Sequence, residues 1–421
     1  MNIEIINTGS ELMLGLVLNT HQQWLCRRLA DFGHVVTRQV AVADAASEIQ
    51  QAVRESLGRA GLVITTGGLG PTSDDITREL IAELLGKKLI ENPAVLAHIE
   101  HFFAARNRPR PARTTVESLV PEGAAVFLNQ YGTAPGLAMK VDPNPFSAGR
   151  KAAWLIMLPG PPRELRPMFD QSVFPFLQRE LAGETFVCRT LRSTGIGESI
   201  VQEMVEGHLL SLMKTGLGVG YCARPGAVDV RLTASGAQAP ETVRAGETIV
   251  RNILGPNIYG WDDDEIESVV VAGLTQRKQT LALAESCTGG LIANRVTNVP
   301  GASVVFKGGV VSYSDGAKES FLDVRPETLR AEGAVSTAVA REMAAGARRR
   351  FGADYALGVT GIAGPGGGTP GKPVGTVFIA LATAAGIEVN QKHNPWDRET
   401  FKQVTAQQAL EMLRRQLILR I

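Results

Sequence analysis

Cysteine and histidine are both scarce in this chain of 421 residues. The four cysteines lie far apart and show none of the short spacings that bind a structural metal or build a disulfide framework. We therefore expect a reduced, cytoplasmic protein. Only one of the six histidines, His393, falls after residue 260, so few sites there could use a histidine to activate a nucleophile.

An excess of charge of either sign is also missing. The 43 lysines and arginines balance 42 acidic residues, so the formal net charge is +1 and no general attraction to nucleic acid or to an anionic membrane is indicated. No apolar run is long enough to span a bilayer, and the first residues lack the basic and long apolar segments of a signal peptide. These absences favour a cytoplasmic protein with no membrane partner.

Glycine is abundant, with 45 residues, and many of them stand where predicted strands end. Residues 1–169 alternate strand and helix patterns, which predicts an α/β domain with a mostly parallel sheet covered by helices. Residues 170–259 alternate strands and turns around a helix, as in a small α+β module. Residues 260–421 again predict an α/β domain. The chain length agrees with this division into three.

The stretch TTGGLGPTSDDITRE, residues 65–79, follows a predicted strand and precedes a predicted helix. Gly67 and Gly68 would let backbone amides approach a phosphate closely, and a helix beginning near Asp74 would favour an anion. Asp74 and Asp75 could hold a divalent metal ion that bridges phosphates. The alternative is an ordinary strand–turn–helix junction in which Asp74 caps the helix.

Other loops of the first domain also follow strands. NTGSEL, residues 7–12, supplies Glu11 as a further candidate metal ligand, and YGTAPG, residues 131–136, supplies Thr133 as a candidate substrate contact. Ligands of open α/β sheets bind beyond the carboxyl ends of the strands, where such loops converge. We therefore predict a ligand site built from these loops and the glycine-rich one.

The stretch LALAESCTGG, residues 281–290, places two potential nucleophiles, Ser286 and Cys287, side by side at the end of a predicted strand. The backbone amides of Thr288, Gly289 and Gly290 lie at the mouth of a predicted helix. We expect them to stabilise an oxyanion or a phosphate there. The alternative is that Ser286 or Thr288 only caps the helix.

A serine or cysteine nucleophile at this place would need a neighbouring residue to activate it. His393 stands in a polar segment after the last strand and has little support. A desolvated lysine can instead take the proton of a serine. GGVVSYSDGAKESFLDV, residues 308–324, offers Lys318 at a helix start, beyond a strand that ends at Tyr313. This favours Ser286, with Cys287 as a buried neighbour pointing the other way; the alternative for Lys318 is a solvated surface lysine.

A third strand-end loop, GVTGIAGPGGGTPGKPVG, covers residues 358–375. Its glycines and prolines favour a shaped surface over a packed one. Thr360, Gly361 and Gly364 are candidate contacts to a substrate, with the loop as a wall over the site. The alternative is a flexible connection between two strands.

These stretches together resemble the CinA family of bacterial proteins along the full length of the chain. The third domain is similar to the family's nicotinamide-nucleotide amidohydrolase domain in AESCTGG, VPGASVVFKGGVVSYSDGAK, GAVS and GVTGIAGPGGGTPGKPVGTV. The first resembles its molybdopterin-binding-like domain in GSELMLG, TTGGLGPTSDDITRE, PEGA, GTAPG and LPGPPREL. The middle domain resembles its KH-like linker domain in STGIGES and VGYCARPGAVDVRL.

The resemblance implies a reaction and its residues. The third domain would hydrolyse the carboxamide of nicotinamide mononucleotide to nicotinic acid mononucleotide and ammonia, without a cofactor. Ser286 would be the catalytic serine, with Lys318, Tyr313 and Thr360 as the other catalytic residues. The first domain would cleave the pyrophosphate of ADP-ribose with a divalent metal, and the family suggests a homodimer.

The chain departs from the family pattern in three places and leaves one rival class of function open. His21 and Trp396 stand where the family usually has Asn and Gly, and Asp-Gly replaces the usual Asn-Glu in YSDGAK. The rival is a competence-related, nucleic-acid-associated protein, prompted by the KH-like segment. Residues 170–259 hold eight basic and nine acidic residues, whereas phosphate binding needs clustered Lys and Arg, so nucleic acid is disfavoured.

Overall fold

A computed structural model of the chain describes residues 1–31, 33–181 and 185–418. The described chain divides into two compact units. The first holds residues 1–187 and 235–239, and the second holds residues 188–234 and 240–421. The middle and last predicted domains therefore share one compact unit. Among the described residues, no helix is both long and apolar enough to cross a membrane.

The first unit is built on a six-stranded sheet of described residues, with the order β2-β1-β3-β8-β7-β6. Its strands, with a separate β4–β5 pair, are β1 (Ile3–Thr8), β2 (Arg38–Val42), β3 (Leu62–Thr66), β4 (Leu89–Glu91), β5 (Leu119–Pro121), β6 (Ala125–Phe127), β7 (Gly136–Val141) and β8 (Ala153–Leu158). Strands β2, β1, β3 and β8 are parallel, as predicted, whereas β7 and β6 run antiparallel at one edge.

Helices cover both faces of this sheet, because its central strands are apolar on both sides. They are α1 (Ser10–Met13), α2 (Thr20–Asp31), α3 (Ala46–Arg59), α4 (Thr77–Leu84), α5 (Pro93–Ala104), α6 (Pro162–Met168) and α7 (Phe174–Glu180). Helix α4 begins at Thr77, three residues later than predicted, and its N-cap is Ile76. The alternative in which Asp74 caps this helix is therefore wrong.

The middle segment forms a small α+β module, as predicted, with the sheet order β10-β11-β9-β12. Its elements are β9 (Phe186–Thr194), α8 (Glu198–Lys214), β10 (Gly218–Arg224), β11 (Ala227–Ser235), α9 (Ala239–Leu254) and β12 (Ile258–Trp261). Three of its arginines pair with acids: Arg189 with Asp262, Arg192 with Asp229, and Arg224 with Glu265. Such pairing leaves less positive charge for a phosphate backbone.

The last segment folds on a five-stranded sheet of described residues, ordered β14-β13-β15-β16-β17. Its strands are β13 (Leu281–Glu285), β14 (Phe306–Val311), β15 (Tyr355–Gly361), β16 (Thr376–Thr383) and β17 (Gly386–His393). Its helices are α10 (Ile266–Arg277), α11 (Leu291–Thr297), α12 (Asp315–Leu322), α13 (Pro326–Glu332), α14 (Thr337–Phe351) and α15 (Arg398–Ile418).

Strand β13 lies between β14 and β15 and is parallel to both, and these three strands position the site. One face of the sheet packs against α10 and α15, and the other packs against α14. Because the three strands point the same way, the loops after them meet at one edge of the sheet. The remaining strands, β16 and β17, are antiparallel.

Candidate functional sites

A cavity of about 230 Å³ opens where β13, β14 and β15 end. It brings together five of the residues predicted from the sequence. The residues that line it are Ser286, Cys287, Tyr313, Asp315, Lys318, Ala334, Val335, Thr360, Gly361, Ala363 and Arg398. His393 lies at the end of β17, two strands away from β15, and does not line this cavity. The lysine, rather than the histidine, therefore faces the same space as the serine.

Ser286 follows β13 directly and is held rigidly. Its amide donates a hydrogen bond of 3.0 Å to the carbonyl of Val359 on β15, so the sheet continues for one more residue. The residue is 8% exposed and lines the cavity. A hydroxyl fixed at the end of a central strand is well placed to act on a bound ligand.

Cys287 is buried, as predicted, but it does not point away from Ser286. It joins the apolar core and also lines the cavity. Burial raises the pKa of its thiol to about 12. Because the thiolate is the reactive form, Cys287 is a poor nucleophile at neutral pH although it lies beside the space where a ligand would bind.

Lys318 is 2% exposed, which excludes the surface alternative. It stands in the first turn of α12, and its Nζ donates to the carbonyls of Ser312 at 3.0 Å and Tyr313 at 3.5 Å. Burial lowers its pKa below the ordinary lysine value, and the nearby Asp315 and Cys287 act in the opposite direction. A lysine shifted toward its neutral form can accept a proton.

Thr360 and Tyr313 shape the two sides of the cavity. The Oγ1 of Thr360 donates 2.8 Å to the carbonyl of Ala334, which fixes the loop before α14. The hydroxyl of Tyr313 accepts a hydrogen bond of 2.5 Å from Nη2 of Arg398, whose Nη1 donates 2.9 Å to the carbonyl of Gly364. Gly364 therefore reaches the site through Arg398 and does not line the cavity itself.

Arg398 is a functional candidate that the sequence analysis missed. It begins α15, after the last strand, and so belongs to none of the three strand-end loops. Its guanidinium places a permanent positive charge on the cavity wall. The available signal was its place two residues after Trp396, where the chain departs from the family pattern.

The prediction that the backbone amides of residues 288–290 stabilise an anion is wrong for Gly289 and Gly290. The amide of Gly290 donates 3.0 Å to the carboxylate of Glu285, and the amide of Gly289 donates 3.1 Å to the carbonyl of Ser286. Glu285, 1% exposed, also accepts from Ile292 and Ala293, so it caps α11 as an internal anion. None of residues 288–290 lines the Ser286 cavity, and the amide of Thr288 hydrogen-bonds toward the Cys287 sulfur.

A second cavity, of about 650 Å³, lies beyond the carboxyl ends of β1, β3 and β8 in the first unit. All the residues predicted for this domain line it: Glu11, Gly67, Gly68, Asp74, Asp75 and Thr133. Both glycines have positive φ. A Cβ would lie 2.7 Å from the carbonyl oxygen of Thr8 at Gly67, and 2.0 Å from Oγ1 of Thr77 at Gly68. Only glycine therefore fits this turn.

The predicted metal ligands do not form a ligand set in this cavity. The Asp75 carboxylate accepts from the amide and hydroxyl of Thr72, while Asp74 and Glu11 are exposed. Among the described residues, no three His, Cys, Asp or Glu side chains lie close enough to hold a metal ion. The metal stays a prediction, and we assign no step to it.

Glu117 was missed because it lies in a short 3-10 helix, Ala112–Ser118, rather than after a strand. It is 1% exposed and lines the cavity, and its Oε1 accepts 3.1 Å from the Thr133 hydroxyl. Its Oε2 is buried and has no hydrogen-bond partner in the described chain. Burial raises the pKa of Glu117 to about 7, and the charges of Asp75 and Glu164 add to this.

His21, noted as a departure from the family, also lines this cavity. Its Nε2 hydrogen-bonds to the carbonyl of Gly160, and its Nδ1 is buried without a partner in the described residues. Burial lowers its pKa. The ring is therefore neutral at pH 7 and donates from Nε2, which leaves Nδ1 as a free acceptor.

Three family profiles match successive parts of the chain. Residues 4–179 match "Probable molybdopterin binding domain", residues 188–260 match "Damage-inducible protein CinA KH domain", and residues 263–417 match "CinA C-terminal domain". These ranges place the large cavity in the first domain and the Ser286 cavity in the third.

Known proteins resemble the chain over nearly its whole length, and solved structures resemble about a third of it. A CinA-like protein of Akkermansia muciniphila is 44% identical over 412 residues, which are 97% of this chain and 96% of the relative. The competence/damage inducible protein CihA of Agrobacterium tumefaciens is 41% identical, covers 35% of this chain and 91% of its own, and has a TM-score of 0.35. A CinA superfamily protein of Klebsiella pneumoniae is 36% identical, covers 36% and 96%, and has a TM-score of 0.36. The chain belongs to the CinA family and carries a molybdopterin-binding-like domain, a KH domain and a CinA C-terminal domain in that order.

Proposed function

We propose that the third domain is a serine amidohydrolase that converts nicotinamide mononucleotide to nicotinic acid mononucleotide and ammonia. One observation carries this proposal: Ser286 and a buried Lys318 line the same small cavity. A serine needs a base to become nucleophilic, and a desolvated lysine is such a base. The family resemblance supplies the identity of the substrate.

In the proposed reaction, the Oγ of Ser286 attacks the carboxamide carbon while its proton passes to Nζ of Lys318. The tetrahedral intermediate collapses when Lys318 gives this proton to the leaving nitrogen, which departs as ammonia. Water then attacks the resulting ester and gives a proton to Lys318, which returns it to Ser286 as the acid is released. No cofactor enters these steps.

Other groups of the cavity would bind and orient the nucleotide. The donor for the oxyanion stays a prediction, since the amides of Gly289 and Gly290 are already used and Thr288 does not line the cavity. The guanidinium of Arg398 provides a cation for the phosphate, and Tyr313 holds this side chain in place. Thr360 fixes the wall formed by Ala334.

The test measures ammonia release from nicotinamide mononucleotide by full-length variants. Ser286→Ala and Lys318→Met should each lower kcat by at least about 10³-fold, since each removes a partner of one proton transfer. Cys287→Ala, the matched neighbour, should keep most of the activity. Full activity in Ser286→Ala with loss in Cys287→Ala would refute the assignment.

A second candidate function belongs to the first domain, and a specific observation favours it. Gly67 and Gly68 form a turn that excludes any side chain, next to carboxylates in a cavity large enough for a nucleotide. We propose cleavage of the pyrophosphate of ADP-ribose there. Asp74→Asn and Asp75→Asn, assayed with ADP-ribose and added divalent metal, should lower product formation and leave ammonia release unchanged. Unchanged cleavage of ADP-ribose in both variants would show that neither aspartate takes part in this reaction.

A further inference from the structure

The cavity of the first domain contains a buried polar atom that the fold itself does not use. Glu117 is 1% exposed and lines this cavity, and its Oε1 accepts a hydrogen bond of 3.1 Å from the hydroxyl of Thr133. Its Oε2 is buried and has no hydrogen-bond partner among the described residues. Because a buried polar atom without a partner costs free energy, such an atom on a cavity wall indicates a ligand group that pairs with it.

The surroundings of Glu117 favour its neutral form. Burial raises its pKa to about 7, the hydrogen bond from Thr133 and the charge of Arg78 act to lower it, and the charges of Asp75 and Glu164 act to raise it. In the described chain, no hydrogen bond joins Glu117 to a predicted metal ligand of this cavity. Below pH 7, Glu117 is therefore mostly a neutral carboxylic acid.

The hydrogen bond with Thr133 decides which oxygen of this acid carries the proton. The hydroxyl of Thr133 donates to Oε1, so in the neutral form the proton belongs to Oε2. The atom without a partner is then a hydrogen-bond donor on the cavity wall. A donor requires an acceptor on the ligand, and the diphosphate proposed for this cavity offers several acceptor oxygens.

Other titratable groups pack beside Glu117 or face the same cavity. Helix α5 packs against the 3-10 helix that carries Glu117, and its His98 hydrogen-bonds to the carbonyls of Asn129 and Gly132. The exposed ones on these two helices include Glu100, His101 and Arg113. Those that line the cavity in the described chain, besides Glu117, are Glu11, His21, Asp44, Asp74, Asp75, Tyr131, Arg163 and Glu164. Acids dominate this lining, so an ionised Glu117 would add to the repulsion of a phosphate.

We propose that Glu117 is a ligand-binding residue of the first domain, and that its Oε2 donates a hydrogen bond to a phosphate oxygen of the bound nucleotide. This inference rests on the ADP-ribose cleavage proposed above, and it adds a contact outside the glycine-rich turn. Ionised Glu117 has no proton to donate and repels the phosphate. Binding above pH 7 must therefore take up a proton.

The experiment measures binding to the full-length protein by calorimetry at pH 6.0 and 8.5, at one magnesium concentration. The ligand is an analogue of ADP-ribose in which a methylene group replaces the oxygen between the two phosphorus atoms, so that it cannot be cleaved there. The wild-type Kd should rise about 30-fold, because only about 3% of a group with a pKa of about 7 stays protonated at pH 8.5. Glu117→Gln keeps a donor and cannot ionise, so its Kd should stay nearly constant. Glu122→Gln, outside the cavity, should keep the wild-type change.

The sign of the pH effect separates a donor from an acceptor at Oε2. A wild-type affinity that rises with pH, or does not change, would overturn the donor role. A Glu117→Gln variant with the wild-type pH dependence would also overturn it, because another titratable group would then be responsible. Glu117→Met, which has no such donor, should bind at least about tenfold more weakly than the wild type at pH 6.0, and equal binding would contradict the contact. If the wild type binds the analogue at neither pH, the function proposed for the first domain itself fails.

Discussion

Glu117 should make the first domain less stable as the pH rises, and Glu117→Gln should remove this effect. The glutamate is 1% exposed, and burial raises its pKa to about 7 from the ordinary glutamate value of 4.5. The folded state therefore holds this proton more tightly than the unfolded state does. The contribution to stability is complete below pH 4.5 and is lost as the pH rises through 7.

The size of the loss follows from the two pKa values. A difference of about 2.5 pKa units corresponds to about 3 kcal/mol, of which about 2 kcal/mol falls between pH 5.5 and 8.5. Gln has nearly the same shape and cannot ionise. The variant should therefore gain about 2 kcal/mol relative to the wild type over this range, or roughly 4–8 °C in Tm for a domain of this size.

Scanning calorimetry of the full-length proteins at pH 5.5 and 8.5 measures this difference. Glu122→Gln, an exposed glutamate five residues away, is the matched control and should show no pH-dependent difference from the wild type. If Glu117→Gln differs from the wild type by the same amount at both pH values, the glutamate is ionised or protonated throughout. The argument from its burial would then be wrong.

Three further predictions concern the sites. The kcat/KM for ammonia release should rise with pH and level off below the ordinary lysine pKa, because neutral Lys318 is the proposed base; a profile without this limb would exclude Lys318 from that role. Glu285→Ala leaves three amides of the α11 start without an acceptor and should cost about 3 kcal/mol in urea unfolding, whereas a cost near zero would deny the capping role. Gly68→Ala should destabilise by at least about 2 kcal/mol, and Gly86→Ala, also at positive φ but in open space, by about 1 kcal/mol; equal costs would show that Thr77 simply moves aside.

The convergence of Ser286, Lys318 and Thr360 could be predicted from the sequence for a topological reason. Ser286 and Lys318 follow strands and Thr360 lies near the end of a third, and parallel neighbours end at the same edge of a sheet. The antiparallel direction of strands β6, β7, β16 and β17 was not predicted, because an apolar run has the same pattern in either direction.

The rest of the site depends on contacts that no local pattern records. Arg398 reaches the cavity from the first turn of a helix 85 residues after Tyr313 in the chain. The hydrogen bond from the Gly290 amide to Glu285 could not be predicted from ESCTGG, because the same sequence would also fit a site that binds an external anion. The buried Glu117 lies in a 3-10 helix whose sequence, ARTTVES, gives no sign of burial.

The two proposed catalytic partners are attached to the sheet unequally. Ser286 follows β13, which has a neighbour on each side, whereas Lys318 follows β14, which is an edge strand in the described chain. Edge strands open more readily than central ones, since they have hydrogen bonds on one side only. On heating, Lys318 should therefore lose its position before Ser286 does. Ammonia release should then fall at temperatures at which most of the sheet is still folded.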